Sequence, residues 1–364
     1  MTDDIAGPRL RGEDLLHAAA TAGHQVSARL LETFRSQGLI PRPSRVANAG
    51  VRPVWLYPAG ADRQLVDLMT HRTRTKDRAQ LLALLWLDDH RIEPAAAREA
   101  LAAVLEGIRT GLDEEVAAQA ARLGDSRPAD RDTALAALAA QMASPRGPDA
   151  LPRTVRVTAA ERAGTLETLI RTFAFGEQPQ VSESDALVAE RVLGISPGRR
   201  ERVAGAGPSL VGPAVDMFDA GAAVTSLPSM ARALAQASDA ELDQARRIAV
   251  VLAGGLATAA RMLTAATGKP NSAGLQNAAA LDQDPLLRLL LVGMAAAMIR
   301  HGWAEQLMHV ATAAAPFPTL LSGLDRVLDI PAAEVERNLR TAAPTVRDSA
   351  KRLIDAAIDG RLRP

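Results

Sequence analysis

The chain has 364 residues, enough for two or three domains of ordinary size and for a sizeable buried core. Hydrophobic residues make up 48% of it but aromatics only 2%, so alanine and leucine, both strong helix formers, carry the apolar fraction and point to a mainly α fold. The absence of cysteine excludes disulfides, thiolate metal sites and cysteine nucleophiles, and a formal net charge of +0 argues against a uniformly basic nucleic-acid binder.

That charge is unevenly spread. Between Val26 and Gln80 there are ten basic residues against four acidic ones, an excess of six that the rest of the chain must balance. A basic module on an acidic body is expected where one region meets a polyanion and the other is kept off it. The N-terminus, Met1-Thr2-Asp3-Asp4, has neither the basic start nor the apolar run of a signal peptide. Two strongly apolar uncharged stretches, between Arg247 and Arg261 and between Arg288 and Arg300, fall short of the ~18 to 20 residues that span a bilayer. A cytoplasmic chain with no membrane contact is expected, and these stretches read as buried core helices.

In chain order, residues 12 to 22 place apolar side chains at helical spacing, with Gly23 ending the helix. After the turn His24-Gln25-Val26, Ser27 is placed to cap a second helix that stops at Gly38. In that helix Leu30, Leu31 and Phe34 share one face, while Arg29, Glu32, Thr33 and Ser36 project from the other and Arg35 lies at the edge. The apolar face can dock and the polar face is left to read something. From Pro41 to Pro58 four prolines and the turn signal Asn48-Ala49-Gly50 interrupt the helical period. Arg45 to Tyr57 reads as a small β-hairpin, its second strand held to an edge by Pro53.

Helices are predicted again over 59 to 72 and 76 to 88, with another starting at Ile92-Glu93-Pro94. Beyond residue 110 nearly everything reads as helix, broken at Gly124 to Asp132, Ser144 to Arg153, Gly176 to Asp185 and Gly194 to Pro213. The alanine- and leucine-rich blocks 238 to 267 and 283 to 300 suit central helices, and the last helices fall near 302 to 314, 316 to 328, 332 to 341 and 344 to 358. The expected organisation is an N-terminal domain over 1 to 108 and an all-α domain over 109 to 364, with a sub-boundary near 144 to 153.

Two short helices about a tight turn, followed by a proline-bounded hairpin, are the ingredients of a winged helix-turn-helix, whose second helix enters the major groove. The run VSARLLETFRSQGLIPRP at 26 to 43 resembles the MerR-like family, with Phe34, Gly38, Leu39, Ile40 and Pro41 matching the end of its recognition helix. The wing, with Arg52 and the ending Leu56-Tyr57-Pro58, is similar too. The likeness covers residues 12 to 95, about a quarter of the chain, and departs at Glu32, where the family usually carries arginine. A carboxylate there repels phosphate, though it can accept a hydrogen bond from cytosine N4.

The resemblance implies a transcription regulator that binds double-stranded DNA as a homodimer. Ser27, Arg29, Thr33 and Arg35 would present the recognition helix, and Arg42, Arg45, Arg52 and Tyr57 would hold the backbone from the wing. By the same analogy the helical region would oligomerise and take a small-molecule effector. No metal or organic cofactor is implied, because the Asp-x-His-x-x-Gly loop of cobalamin-binding members is missing. The competing class is a helical scaffold that binds another protein through its N-terminal module, followed by an all-α ligand carrier or enzyme.

Other constellations carry less. His301, Glu305 and His309 are spaced to lie along one helix face, where an i, i+4 pair can chelate a metal, but polar-face histidines are the commoner reading. Gly205-Ala206-Gly207-Pro208 reads as a linker rather than a phosphate loop, and Asp88-Asp89-His90 as a solvated turn. Trp86 and Trp303 read as core or interface anchors. With no nucleophile and base in a recognisable pattern, the chain is not expected to be an enzyme.

Overall fold

A computed structural model describes residues 9–46, 54–124, 129–143, 157–177, 181–193, 222–267, 278–328, 334, 337, 339–340, 343–359 and 361–362. The protein is mainly helical, and the sheet among the described residues has two strands. Its contacts divide it into two compact units, Met1–Val104 and Leu105–Pro364. The expected sub-boundary at 144 to 153 lies outside the described residues, as do the linker at 205 to 208 and most of the helix expected at 332 to 341.

The first unit runs helix α1 (Gly12–Thr21), helix α2 (Ala28–Ser36), strands β1 (Ser44–Val46) and β2 (Val54–Leu56), helix α3 (Ala61–Arg72) and helix α4 (Arg78–Leu87), and helix α5 (Pro94–Leu123) begins within it. Ser27 caps α2, its hydroxyl accepting from the Leu30 amide at 3.2 Å. The helix ends because Gly38 turns left-handed at φ +75, letting the Leu39 amide reach the Phe34 carbonyl at 2.9 Å. A side chain there would strain that conformation. Leu39 and Ile40 then enter the core, where buried Gln64 of α3 donates to the Leu39 carbonyl at 2.8 Å and satisfies an otherwise stranded acceptor.

The strands pair antiparallel, with Ser44 opposite Leu56, Arg45 opposite Trp55 and Val46 opposite Val54. Leu10 adds a single bridge to Tyr57, so the chain just before α1 is tied to the end of the hairpin. Helix α1 packs on α3, and α3 on α4. The α4 sequence RAQLLALLWL is buried on nearly every side, Trp86 included.

The Asp88-Asp89-His90 turn departs from the solvated reading. Asp89 adopts φ 68, Asp88 meets His71 Nε2 at 2.7 Å, and half-buried His90 meets Asp67 at 2.8 Å. Two reciprocal imidazole–carboxylate contacts therefore clasp α3 to the turn that follows α4. Residues 17 and 23 positions apart in sequence are joined, which local spacing does not announce.

In the second unit α6 (Arg131–Ala143) packs on α7 (Ala159–Leu169), which in turn packs on α8 (Glu183–Leu193). Helix α7 passes into a π turn over Ile170–Ala174. Arg171, in that turn, gathers Glu167, Asp132 and Glu177. Burial works against its charge, but the three carboxylates outweigh it and hold the guanidinium above its ordinary value.

The remainder is built about α11 (Asp239–Thr267), which packs against α12 (Pro285–Arg300), α13 (Ala304–Ala314), α14 (Pro316–Leu328) and α15 (Pro344–Ile358). The short helix α9 (Ala222–Thr225) and helix α10 (Leu227–Gln236) also lie against α12. Gly255 makes the α11–α13 approach possible, because a Cβ there would sit 2.5 Å from the Ala314 carbonyl oxygen.

Over Asp239–Ala266 helix α11 is long and apolar enough to cross a membrane by length and composition, an 18-residue window of it averaging a hydropathy of 1.7. The expectation that no stretch would qualify came from uncharged runs and is corrected. Half of that apolar window is buried within the protein, and its Arg261 reaches the Ala279 and Leu362 carbonyls and the Asp282 carboxylate.

Candidate nucleic-acid interface

The amphipathic division of α2 decides which side chains can meet a ligand. Leu31 and Phe34 are buried, while Arg29, Glu32, Thr33 and Ser36 are exposed. Phe34 is held beneath the Arg72 guanidinium, 4.9 Å from its ring centre, and Arg78 donates to the Gln37 carbonyl at 3.0 Å. These two arginines stitch α2 to α3 and α4 and are occupied in doing so.

Glu32 pairs with Arg35 one turn further on. The hydrogen bond that Arg35 donates to the Glu32 carboxylate is the main cause holding the guanidinium above its ordinary value, and the nearby Tyr57 hydroxyl adds to it. The carboxylate that departs from the family pattern is thereby neutralised within the helix, and Arg35 is partly committed.

A concavity of about 680 Å³ opens between α2 and the hairpin, bordered by Glu32, Arg35, Ser36, Arg42, Trp55 and Tyr57. Of the expected contact residues it brings together Arg35, Arg42 and Tyr57. Tyr57 is 7% exposed, wedged with its ring 3.8 Å from where a Gly12 side chain would begin. Arg45 stands on the exposed hairpin face, opposite Trp55.

Ser27 is exposed but uses its hydroxyl as the helix cap, and the Thr33 hydroxyl donates to the Arg29 carbonyl at 3.0 Å. Arg52 lies outside the described residues. Among the described residues no ion-pair or hydrogen-bond partner engages the side chains of Arg29, Arg42 or Arg45.

The residue that sequence reasoning passed over is Trp55. It is 55% exposed, between half-buried Val54 and Leu56. Strand alternation places Trp55 and Tyr57 on one face, so their opposite burial could not be read from the period of 2.

The second unit contains a different kind of site. A cavity of about 480 Å³ is lined by Ile170, Phe173, Leu227, Met230, Leu287 and Met294 among others, with Thr225 supplying the polar side chain. Ile170 and Phe173 come from the π turn, as does Ala174, and its buried Thr172 hydroxyl has no hydrogen-bond partner among the described residues.

The one-face arrangement of His301, Glu305 and His309 is not formed. His301 ends α12, Gly302 turns at φ 82, and α13 starts only at Ala304. The His301 and His309 rings instead contact the Ala297 and Glu305 carbonyls of their own helices. Among the described residues no group of three potential ligands could hold a metal ion. Compared with known proteins, the chain matches no protein-family model, no curated protein and no solved structure.

Proposed function

We propose that residues 12 to 78 act as a winged helix-turn-helix that binds double-stranded DNA, and that the protein is a transcription regulator. The observation that carries this reading is the set of exposed arginines Arg29, Arg42 and Arg45 beside α2 and the hairpin, which among the described residues have no partner. Cations held on a rigid frame without a counter-charge are what a phosphate backbone rewards, since each contact releases condensed counterions. The polar face of α2 would enter the major groove, with Arg29 and Thr33 toward base edges and Arg42 and Arg45 on phosphates.

On this reading the helical unit supplies dimerisation, and its effector is an uncharged, largely apolar small molecule. The aliphatic and aromatic lining of the cavity beside the π turn supports that ligand chemistry, and its volume suits a small organic molecule.

The test is binding of the full chain to mixed-sequence duplex DNA across a salt series. Two phosphate contacts per module, Arg42 and Arg45, predict a log-log slope of about −1.8, and Arg45→Ala should lower its magnitude by about 0.9. Arg29→Ala should instead relax base preference at a selected site, costing about 1 to 3 kcal/mol if the contact is bidentate. Absence of duplex binding at low salt by the folded chain overturns the reading.

A further inference from the structure

Resting on the DNA-binding reading, we propose that Trp55 is a contact residue of the interface, its indole packing against the sugar of a strand whose phosphates Arg42 and Arg45 hold. The juxtaposition is specific. Trp55 pairs with Arg45 across the hairpin, so both side chains emerge from one face of it. The same indole borders the concavity that contains Arg42, Arg35 and Ser36, and it also lines the adjoining one with Arg11, Glu13 and Leu16. It thus stands between the hairpin and the helix that would lie in the groove.

Its exposure is at odds with its chemistry. Trp86 is nearly buried in the core of the same unit, whereas Trp55 leaves more than half its surface in water although strand neighbours on both sides are half-buried. An exposed indole beside Arg42 and Arg45, which have no partner among the described residues, is poorly matched to an apolar protein partner, which would have to desolvate those guanidiniums. It is well matched to a nucleic-acid strand, which offers an apolar sugar or base face between anionic groups. Charge complementarity therefore selects duplex DNA as the occupant.

A packing contact differs from an ionic one in a measurable way. Removing an arginine takes away a counterion-releasing pair and flattens the salt dependence, whereas removing an indole weakens binding at every salt concentration alike. With the full chain and a mixed-sequence duplex at low salt, Trp55→Ala should weaken binding by about tenfold with an unchanged salt slope, and Trp55→Phe should retain most of the affinity. Duplex addition should shield tryptophan emission from acrylamide in the wild type and much less in Trp55→Phe, where Trp86 and Trp303 remain.

Thermal unfolding of both variants should match the wild type, since the side chain is over half exposed. If the wild type binds duplex and Trp55→Ala binds equally tightly, the inference falls while the DNA reading stands. Shielding of Trp55 in the wild type before any DNA is added would assign the indole to a protein interface and also overturn it. A wild-type chain that binds no duplex removes both readings together.

Discussion

At the level of single residues, the structure sorts a basic excess into cations that hold the fold and cations that remain available. Arg72 lies over Phe34, Arg78 serves the Gln37 carbonyl and Arg63 leans toward Asp67, whereas Arg29, Arg42 and Arg45 are exposed. Arg35 sits between these classes because Glu32 occupies it. Glu32→Gln should therefore release Arg35, raise affinity for mixed-sequence duplex a few-fold and steepen the salt slope by about 0.9. A salt titration of the variant beside the wild type measures this, and an unchanged slope would place Arg35 away from the phosphates.

Two adjacent glycines of α11 give a second test at this scale, with opposite signs. Nothing lies within 4 Å of a Cβ at Gly254, so Gly254→Ala should stabilise by about 0.5 to 1 kcal/mol through helix propensity. At Gly255 the new carbon would meet the Ala314 backbone, and Gly255→Ala should destabilise by about 1 to 3 kcal/mol or more. Denaturant midpoints of the two variants decide it.

At the level of elements, helix ends and crossings are fixed by a few polar contacts. The start of α11 is capped reciprocally: the Ser238 amide donates to Glu241 at 2.7 Å, the Glu241 amide donates to the Ser238 hydroxyl, and Arg300 of α12 reaches the same carboxylate at 3.2 Å. The Ser238 amide first, and Arg300 after it, hold the Glu241 carboxyl below its ordinary value. A carboxyl depressed in the folded chain contributes stability that is full above its unfolded value, about pH 4.5, and is lost as the pH falls through the folded value. Glu241→Gln should cost about 1 kcal/mol at neutral pH, as loss of a cap does, and should be progressively less costly below pH 4.5. Denaturation curves at neutral and acid pH compare the two, and a cost that persists unchanged into acid would assign the contribution to packing instead.

Across the whole molecule, the basic residues between Val26 and Gln80 and the balancing acidic excess elsewhere make a chain of zero net charge strongly polar in its distribution. On the DNA-binding reading proposed above, a body of like charge to DNA would keep off the duplex and leave the basic module to engage. One such module covers a short half-site, so useful affinity asks for two at a fixed spacing. Sedimentation of the full chain should give a dimer at micromolar concentration, and its footprint on a selected operator should be two-fold symmetric. A monomer protecting a single half-site would contradict the dimer.

The sequence by itself determined the helical class, the capped ends of the helices and the amphipathic split of α2, because each depends on residues within one or two turns of one another. Ser27 and Gly38 bound α2 for local reasons, and Leu31 and Phe34 follow the 3.6-residue period that any docked helix obeys. What only the tertiary structure decided are the pairings between distant parts. His71 with Asp88, His90 with Asp67, Gln64 with the Leu39 carbonyl and Gly255 against Ala314 all join separate elements. The same holds at the candidate interface. Trp55 and Tyr57 alternate identically along the chain, and the one is exposed and the other buried, Tyr57 lying against Gly12 and Arg35, 45 and 22 residues away in sequence.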